Sequence, residues 1–431
     1  MRLNASEYCV KYAHMDTCRL FSGSTQAQIT IWQHHETFVA LAFAPILRYY
    51  GYMILLLKFG LKIYAVIYAI LKLFPAKDKV VFLSRQGNSP GLDFQLLEKE
   101  IRRSHPGYDT VMLCRKIEGG IPGAIGYCFH MIRQCWHLAT AKVAILDSYC
   151  ILASCLKHKP CLLIVQIWHS VGTMKKNGYS VLDQPEGSSS KVAHAMHMHE
   201  NYDYIFASAD AYKPYLAEAF NQPVSRVITK ALPRIELLKD ASYKKAKREE
   251  IFSVYPELTN GKKNLVYCPT FRKGEDPALF DEALRDLVNA IDKDKYNIII
   301  KVHPLAAPAS DIPGALTDRK FSTFEMLFAG DLVVSDYSCI VYEAAVLNLP
   351  IYFYAYDFDT YVTTRGMYID YKKEMPVHPC KSAQELAQQL EKPYDFASLF
   401  SFRDKYVDPA NHDETASMAE FIFDHLKQQN H

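Results

Sequence analysis

Two histidines stand where apolar runs stop. His169 follows CLLIVQIW (161–168), and His303 closes NIIIKVHP (297–304) just before Pro304. An imidazole titrates near neutrality, so a histidine at such a place can take a proton from an attacking hydroxyl. It can equally be structural, bonded to a carbonyl. Cations and hydroxyls recur at similar positions: Lys301 beside His303, Thr270 and Arg272 in NLVYCPTFR (264–272), and Arg234 in LPRIE. Lysine is a compact charge and arginine a planar fork; both suit phosphate oxygens. Each also reads, by itself, as a solvated strand end.

The elements that position these residues are legible in one stretch, DLVVSDYSCIVYEAAVLNLPIYFY (331–354). An apolar run reaches a polar turn, Ser335-Asp336-Tyr337-Ser338, then a helical pattern from 340 to 347, then a second apolar run. That is a strand, a helix and a parallel strand. In open parallel sheets ligands sit outside the carboxyl ends of the strands. The turn therefore meets a ligand with its hydroxyls and the free N–H groups of the helix, an arrangement that favours phosphate. The same Ser and Asp read as an ordinary helix cap.

The alternation extends along most of the chain. Strands are expected at 79–84, 109–114, 143–146, 161–168 and 204–208, with helices at 92–103 and 125–141. A charged, polar break falls at 239–262. Strand periodicity restarts at 264, and a helical pattern at 411–427 ends the chain. The expectation is an α/β protein of two doubly wound domains, 77–238 and 263–431, joined through 239–262, with a cleft between them and a closing C-terminal helix.

Composition sets outer limits. The chain has 431 residues, 49% hydrophobic and 22% charged, which suits two or three globular domains. A net charge of +2 gives no reason to expect a nucleic-acid partner. Eleven cysteines without a C-x-x-C pair read as reduced thiols, neither disulfides nor a zinc site. The one histidine-rich run, HAMHMHE (194–200), places His194 and His197 on one helical face and His199 off it, with no further ligand at short spacing. No metal site is expected there, although His199 alone could face the cleft.

Residues 1–37 are polar and carry no secretory signal pattern. Residues 38–76 are apolar, interrupted by Pro45 and Arg48 and flanked by Lys58, Lys62 and Lys72, with tyrosines throughout. This decoration suits the headgroup boundary, so an in-plane membrane anchor is expected; a spanning helix and a buried helix pair are the alternatives.

The motifs WHSVGTMKKNGYS, LPRIE, YCPTFR, IKVHP, SDYSCIVYEAA and YAYDFDTYVTTRGMYIDY, in this order, resemble the CDP-glycerol glycerophosphotransferase family, the bacterial teichoic acid primases and polymerases, including CDP-ribitol users. The resemblance implies a GT-B fold of two Rossmann-like domains and a peripheral or monotopic enzyme on the cytoplasmic side of the cell membrane. It implies transfer of glycerol or ribitol phosphate from a CDP-alcohol to a hydroxyl of a lipid-linked polymer acceptor, with release of CMP. By the same resemblance His169 is the catalytic base and His303 a second catalytic histidine. Thr173, Arg234, Pro269, Thr270, Arg272, Lys301, Val302, Ser338, Cys339 and Glu343 hold the CDP-alcohol. No resident cofactor is implied, and no ligand cluster supports Mg²⁺. Two departures stand out. The usual WHGTP reads WHSVG, putting a side chain at Ser170 where glycine is usual. Cys339 replaces the second serine of DYSS, a weaker donor. Two rival readings remain: a GT-B glycosyltransferase using a nucleotide sugar, and a non-catalytic membrane-bound scaffold.

Overall fold

The structure, a computed structural model, describes residues 54–185, 187–270, 272, 277–301, 312–407 and 413–429. The polar segment 1–37, residues 38–53 of the apolar region, Val302 and His303 lie outside the described residues.

The first sheet contains β1 (Lys79–Ser84), β2 (Asp109–Cys114), β3 (Val143–Leu146), β4 (Leu163–Gln166), β5 (Tyr204–Ala207) and β6 (Val227–Thr229). Its order is β2-β1-β3-β4-β5-β6, all parallel. The second sheet contains β7 (Lys263–Cys268), β8 (Tyr296–Ile300), β9 (Leu316–Thr317), β10 (Leu332–Ser335) and β11 (Ile351–Phe353). Its order is β11-β10-β7-β8-β9, again all parallel. β1, β3, β4 and β10 are buried along their whole length because helices cover both faces, which is why their sequences are apolar runs rather than alternations.

Each sheet reverses its winding once. In the first the chain runs outward from β1 to β2, then returns to β3 on the other side of β1. In the second it runs from β7 to β8 and β9, then returns to β10. Crevices open at such switch points. Register sets what lies there: Ser335 pairs with Cys268, so Asp336-Tyr337 follows on one side and Pro269-Thr270 on the other.

The segment 239–262 contains a helix, Ala241–Val254, whose N-cap Asp240 accepts from the Ser242 and Tyr243 amides at 2.8 and 3.1 Å. Lys247 and Arg248 tie that helix to Glu325 and Asp331 of the second lobe. The final helix, Glu414–Gln429, crosses back to the first lobe. There Phe423 stacks on His105 with centroids 3.6 Å apart, and Phe421 meets Tyr204 edge-on. The lobes also meet directly. Tyr215 stacks on Tyr368, Tyr212 meets Tyr342 edge-on, and the Tyr368 amide donates to the Met174 carbonyl at 2.9 Å.

The helix Ile54–Leu71 is long and apolar enough to cross a membrane, by length and composition only. Its tyrosines do not face outward as headgroup anchors would. Tyr68 is buried with its hydroxyl 2.7 Å from His158 Nδ1, and Tyr64 donates to the Cys128 carbonyl. The side chains left exposed include Leu55, Leu56, Phe59, Ile63, Val66 and Ile70.

Candidate active site

His169 follows β4 after a sharp turn. Trp168 adopts a positive φ of 63°, and its amide donates to Gln166 Oε1 at 2.9 Å. The imidazole Nδ1 lies 2.9 Å from the Asp147 carbonyl at the end of the neighbouring β3. A carbonyl can only accept, so Nδ1 carries the proton and Nε2 keeps its lone pair. Burial lowers the imidazole's pKa below its ordinary value; the bond to Asp147 opposes this, and the Arg234 charge adds to it. His169 is therefore a neutral base with one nitrogen to spare.

It faces a cavity of about 640 Å³ between the lobes. The first lobe contributes His169, Ser170, Thr173, Lys175, Asn177 and Arg234. The second contributes Pro269, Thr270, Lys301, Ser338, Cys339, Glu343 and Arg365. Gly172 permits the close approach: a Cβ there would stand 2.5 Å from ring carbons of Tyr342.

Arg234 joins the walls. It forks onto Asp93, with Nε to Oδ2 at 2.9 Å, and reaches Glu343 Oε1 at 3.5 Å and the His169 carbonyl at 3.4 Å. Burial works against its charge, but Asp93 and Glu343 outweigh that and raise its pKa. Glu343 Oε2 is buried with no hydrogen-bond partner, and burial pushes its carboxyl up to about 7.

The polar turn does little capping. Ser335 Oγ donates to the Cys268 carbonyl at 2.7 Å. Asp336 accepts from the Thr270 amide at 2.9 Å and from Tyr337 N. Only Ser338 Oγ meets the helix Ile340–Val346, at 3.4 Å from the Ile340 amide. Asp336 is thus a strut that locks the loops after β7 and β10 together. Thr270 Oγ1 is left buried, without a partner, in the cavity wall.

Four sequence expectations change. Lys301 lines the cavity, but its ammonium is held by Asp318 Oδ2 at 2.5 Å, by the Asp318 carbonyl at 3.3 Å and by the Phe321 carbonyl. An ammonium has three hydrogens, so none remains for phosphate. Arg272 does not line the cavity; it pairs with Asp336 at 2.9 Å and Asp357 at 2.6 Å behind the loop. His199 sits away from the cleft, 3.0 Å from Tyr202 Oη, with its pKa lowered to about 3 by burial. The helical-face reading of 194–200 fails because the helix Ser190–Ala195 ends early. His197 and His199 then take positive φ values of 47° and 61°. Among the described residues no cluster of His, Cys, Asp or Glu could hold a metal ion.

The cation the sequence reading passed over is Lys175, in the motif WHSVGTMKKNGYS that also carries His169. It is largely buried in the cavity wall, and its ammonium has no hydrogen-bond or ion-pair partner among the described residues. Burial lowers its pKa. Asp147 was also missed, though it directly follows VAIL and the strand-end rule would have found it. Asp93 gave no signal: one acid in the first turn of an amphipathic helix looks like a dipole complement.

A base with a spare nitrogen, an uncompensated ammonium and orphan hydroxyls around one interlobe cavity define a group-transfer site for an anionic substrate. The chain belongs to the family described as CDP-glycerol:poly(glycerophosphate) glycerophosphotransferase, which it matches over residues 66–424. It is 28% identical to a teichoic acid ribitol-phosphate primase of Bacillus spizizenii, covering 80% of this chain and 90% of that protein. It is 24% identical to a teichoic acid glycerol-phosphate primase of Bacillus subtilis, covering 75% and 81%. In fold it is similar to the wall teichoic acid polymerase TagF, with a TM-score of 0.68 at 19% identity over 93% of this chain and 98% of that one.

Proposed function

We propose that the protein transfers glycerol phosphate or ribitol phosphate from a CDP-alcohol to a hydroxyl of a lipid-linked, teichoic-acid-type acceptor at the cytoplasmic face of the membrane. The observation that carries this reading is His169. Its Nδ1 is committed to the Asp147 carbonyl, and it lines the same cavity as Lys175, Thr270 and Ser338. The two lobes form a GT-B arrangement, with the donor nucleotide on the second and the acceptor on the first. The acceptor oxygen forms a bond to the phosphorus bearing the alditol. The bond from that phosphorus to the bridging oxygen breaks, and CMP leaves with the electron pair. The acceptor proton passes to His169 Nε2. Lys175 meets the charge gathering on the diphosphate, and Thr270 and Ser338 bond its oxygens. Lys301 acts one step back, holding Asp318 and the 318–321 loop in place. Held geometry and fixed charge supply most of the acceleration.

The test is a donor screen. The protein is incubated with CDP-glycerol, CDP-ribitol and UDP-sugars plus a lipid-linked acceptor, and free nucleotide is measured. CMP release dependent on a CDP-alcohol and acceptor is expected. Nucleotide release from UDP-sugars alone would replace this reading with a glycosyltransferase.

A further inference from the structure

A second cavity, of about 290 Å³, opens at the carboxyl end of β2. Asn88, Arg115, Glu118, His130 and Arg133 line it. Neither guanidinium has an ion-pair or hydrogen-bond partner among the described residues. The Arg115 guanidinium lies over the backbone of Gly126, where a Cβ would stand against it and make it shift. His130 is 7% exposed, and its Nε2 is buried without a partner. Burial, and then the two arginines, lower its pKa, so it stands as a neutral imidazole. Glu118 is the one acid in the lining, with Oε1 3.4 Å from Asn88 Nδ2. Two cations therefore face one carboxylate.

The cavity borders an apolar face. In the helix Gly120–Thr140, Ile121, Ile125, Phe129, Ile132 and Trp136 recur at helical spacing, and all are exposed; Ile121 is 76% and Phe129 67% accessible. The helix Ile54–Leu71 runs alongside, joined through Tyr64 and by an edge contact of Phe74 with Trp136. It carries exposed Phe59, Ile63 and Ile70 of its own. At roughly 100° per residue, Gly126, His130 and Arg133 occupy the strip next to the apolar row. A basic pocket at the border of an apolar face fits a lipid whose chain rests on the face and whose phosphate enters the pocket.

We propose that this cavity binds the phosphate or diphosphate headgroup of the membrane lipid that carries the acceptor, with the two-helix face resting on the bilayer. The proposal rests on the transferase reading for the word acceptor; the site itself does not. Sheet order gives a length. Arg115 follows β2, Asn88 follows β1, Asp147 follows β3 and His169 follows β4, in adjacent strands. Three strand spacings put the bound phosphate on the order of 15 Å from His169. The reacting hydroxyl is then carried on a spacer of about that length, not directly on the lipid phosphate.

The full chain is mixed, with no CDP-alcohol present, with phosphatidylcholine vesicles containing or lacking phosphatidic acid, and bound protein is recovered by flotation. Wild type is expected to prefer the phosphatidic acid vesicles and to be displaced by inorganic pyrophosphate at equal ionic strength. The Arg115→Ala/Arg133→Ala variant should lose that preference by about tenfold. Arg133→Glu, at an exposed position where misfolding is not at issue, should lose it too. Undiminished preference in both variants overturns the proposal. So does binding of pyrophosphate by a protein indifferent to phosphatidic acid, which would mark a site for a free anion. Because no donor is present, the result does not depend on the transfer chemistry, which CMP release reports separately.

Discussion

Lys301 and Lys175 face one cavity from opposite lobes. The second-lobe lysine gives its ammonium to Asp318 and two carbonyls, while the first-lobe lysine finds no partner among the described residues. Arg272 repeats the second-lobe pattern, bound by Asp336 and Asp357. A buried cation with its own carboxylate holds structure and is electrically quiet; one without a carboxylate is costly until an anion arrives. Thr270 and Ser338 thus bring hydroxyls to the second wall beside Arg365, and the first wall brings the base and the Lys175 ammonium. Under the proposed transfer, the base and Lys175 act from one lobe and the Thr270 and Ser338 hydroxyls from the other, so both lobes must close on the donor.

The strongest attempt to break this contrast is at His169. His169→Ala is expected to lower kcat by about 10²–10⁴-fold, the range of general-base catalysis, with donor affinity measured by calorimetry nearly unchanged. Near-normal turnover would remove the base from the first wall. The base acts only when neutral, and its pKa is lowered, so activity should persist as pH falls through the ordinary histidine value. The acid limb of kcat/KM should therefore lie below about 6.5. A limb above that value would mean that the imidazole is not buried as the structure has it.

The lysines should then separate by kind of effect. Lys175→Met is expected to lower kcat/KM for the CDP-alcohol by about 10–100-fold, the loss of one or two charge-assisted bonds, without lowering the melting temperature. Lys301→Met leaves Asp318 buried and unpaired and should destabilise the fold by about 3–5 kcal/mol. Thermal melts beside donor kinetics decide it. If Lys301→Met instead spared stability and lost donor affinity, the two walls would not differ as described.

What the sequence could and could not reveal follows the range of the interactions. Strands such as 143–146 and the unit 331–354 were legible because burial on both faces is written into adjacent residues. Strand ends located His169, Thr270 and Ser338. The charge state of those ends was not legible, because it depends on partners far along the chain: Arg234 meets Asp93 across 141 residues. Lys301 meets Asp318 only after the chain returns through β9. Backbone conformation was equally hidden. Nothing in HAMHMHE announces the positive φ values that stop its helix, and nothing in the final helix pattern says that it caps the opposite lobe.

The smallest expected effect tests the hydroxyls of the second wall. Thr270 Oγ1 is buried and unbonded while Asp336 fixes its backbone, so Thr270→Val removes a hydroxyl and little else. An unsatisfied buried hydroxyl is a liability, so the variant should be as stable as wild type or more so by about 1 kcal/mol. Losing a neutral bond to the donor should raise its KM by about 5–10-fold, less than the loss at Lys175. Thr270→Ser, which keeps the hydroxyl, should restore most of that affinity. If valine leaves KM unchanged, the second wall does not bond the diphosphate at this position. The Thr270 hydroxyl would then be only lining, and recognition would fall to the other groups that line the cavity.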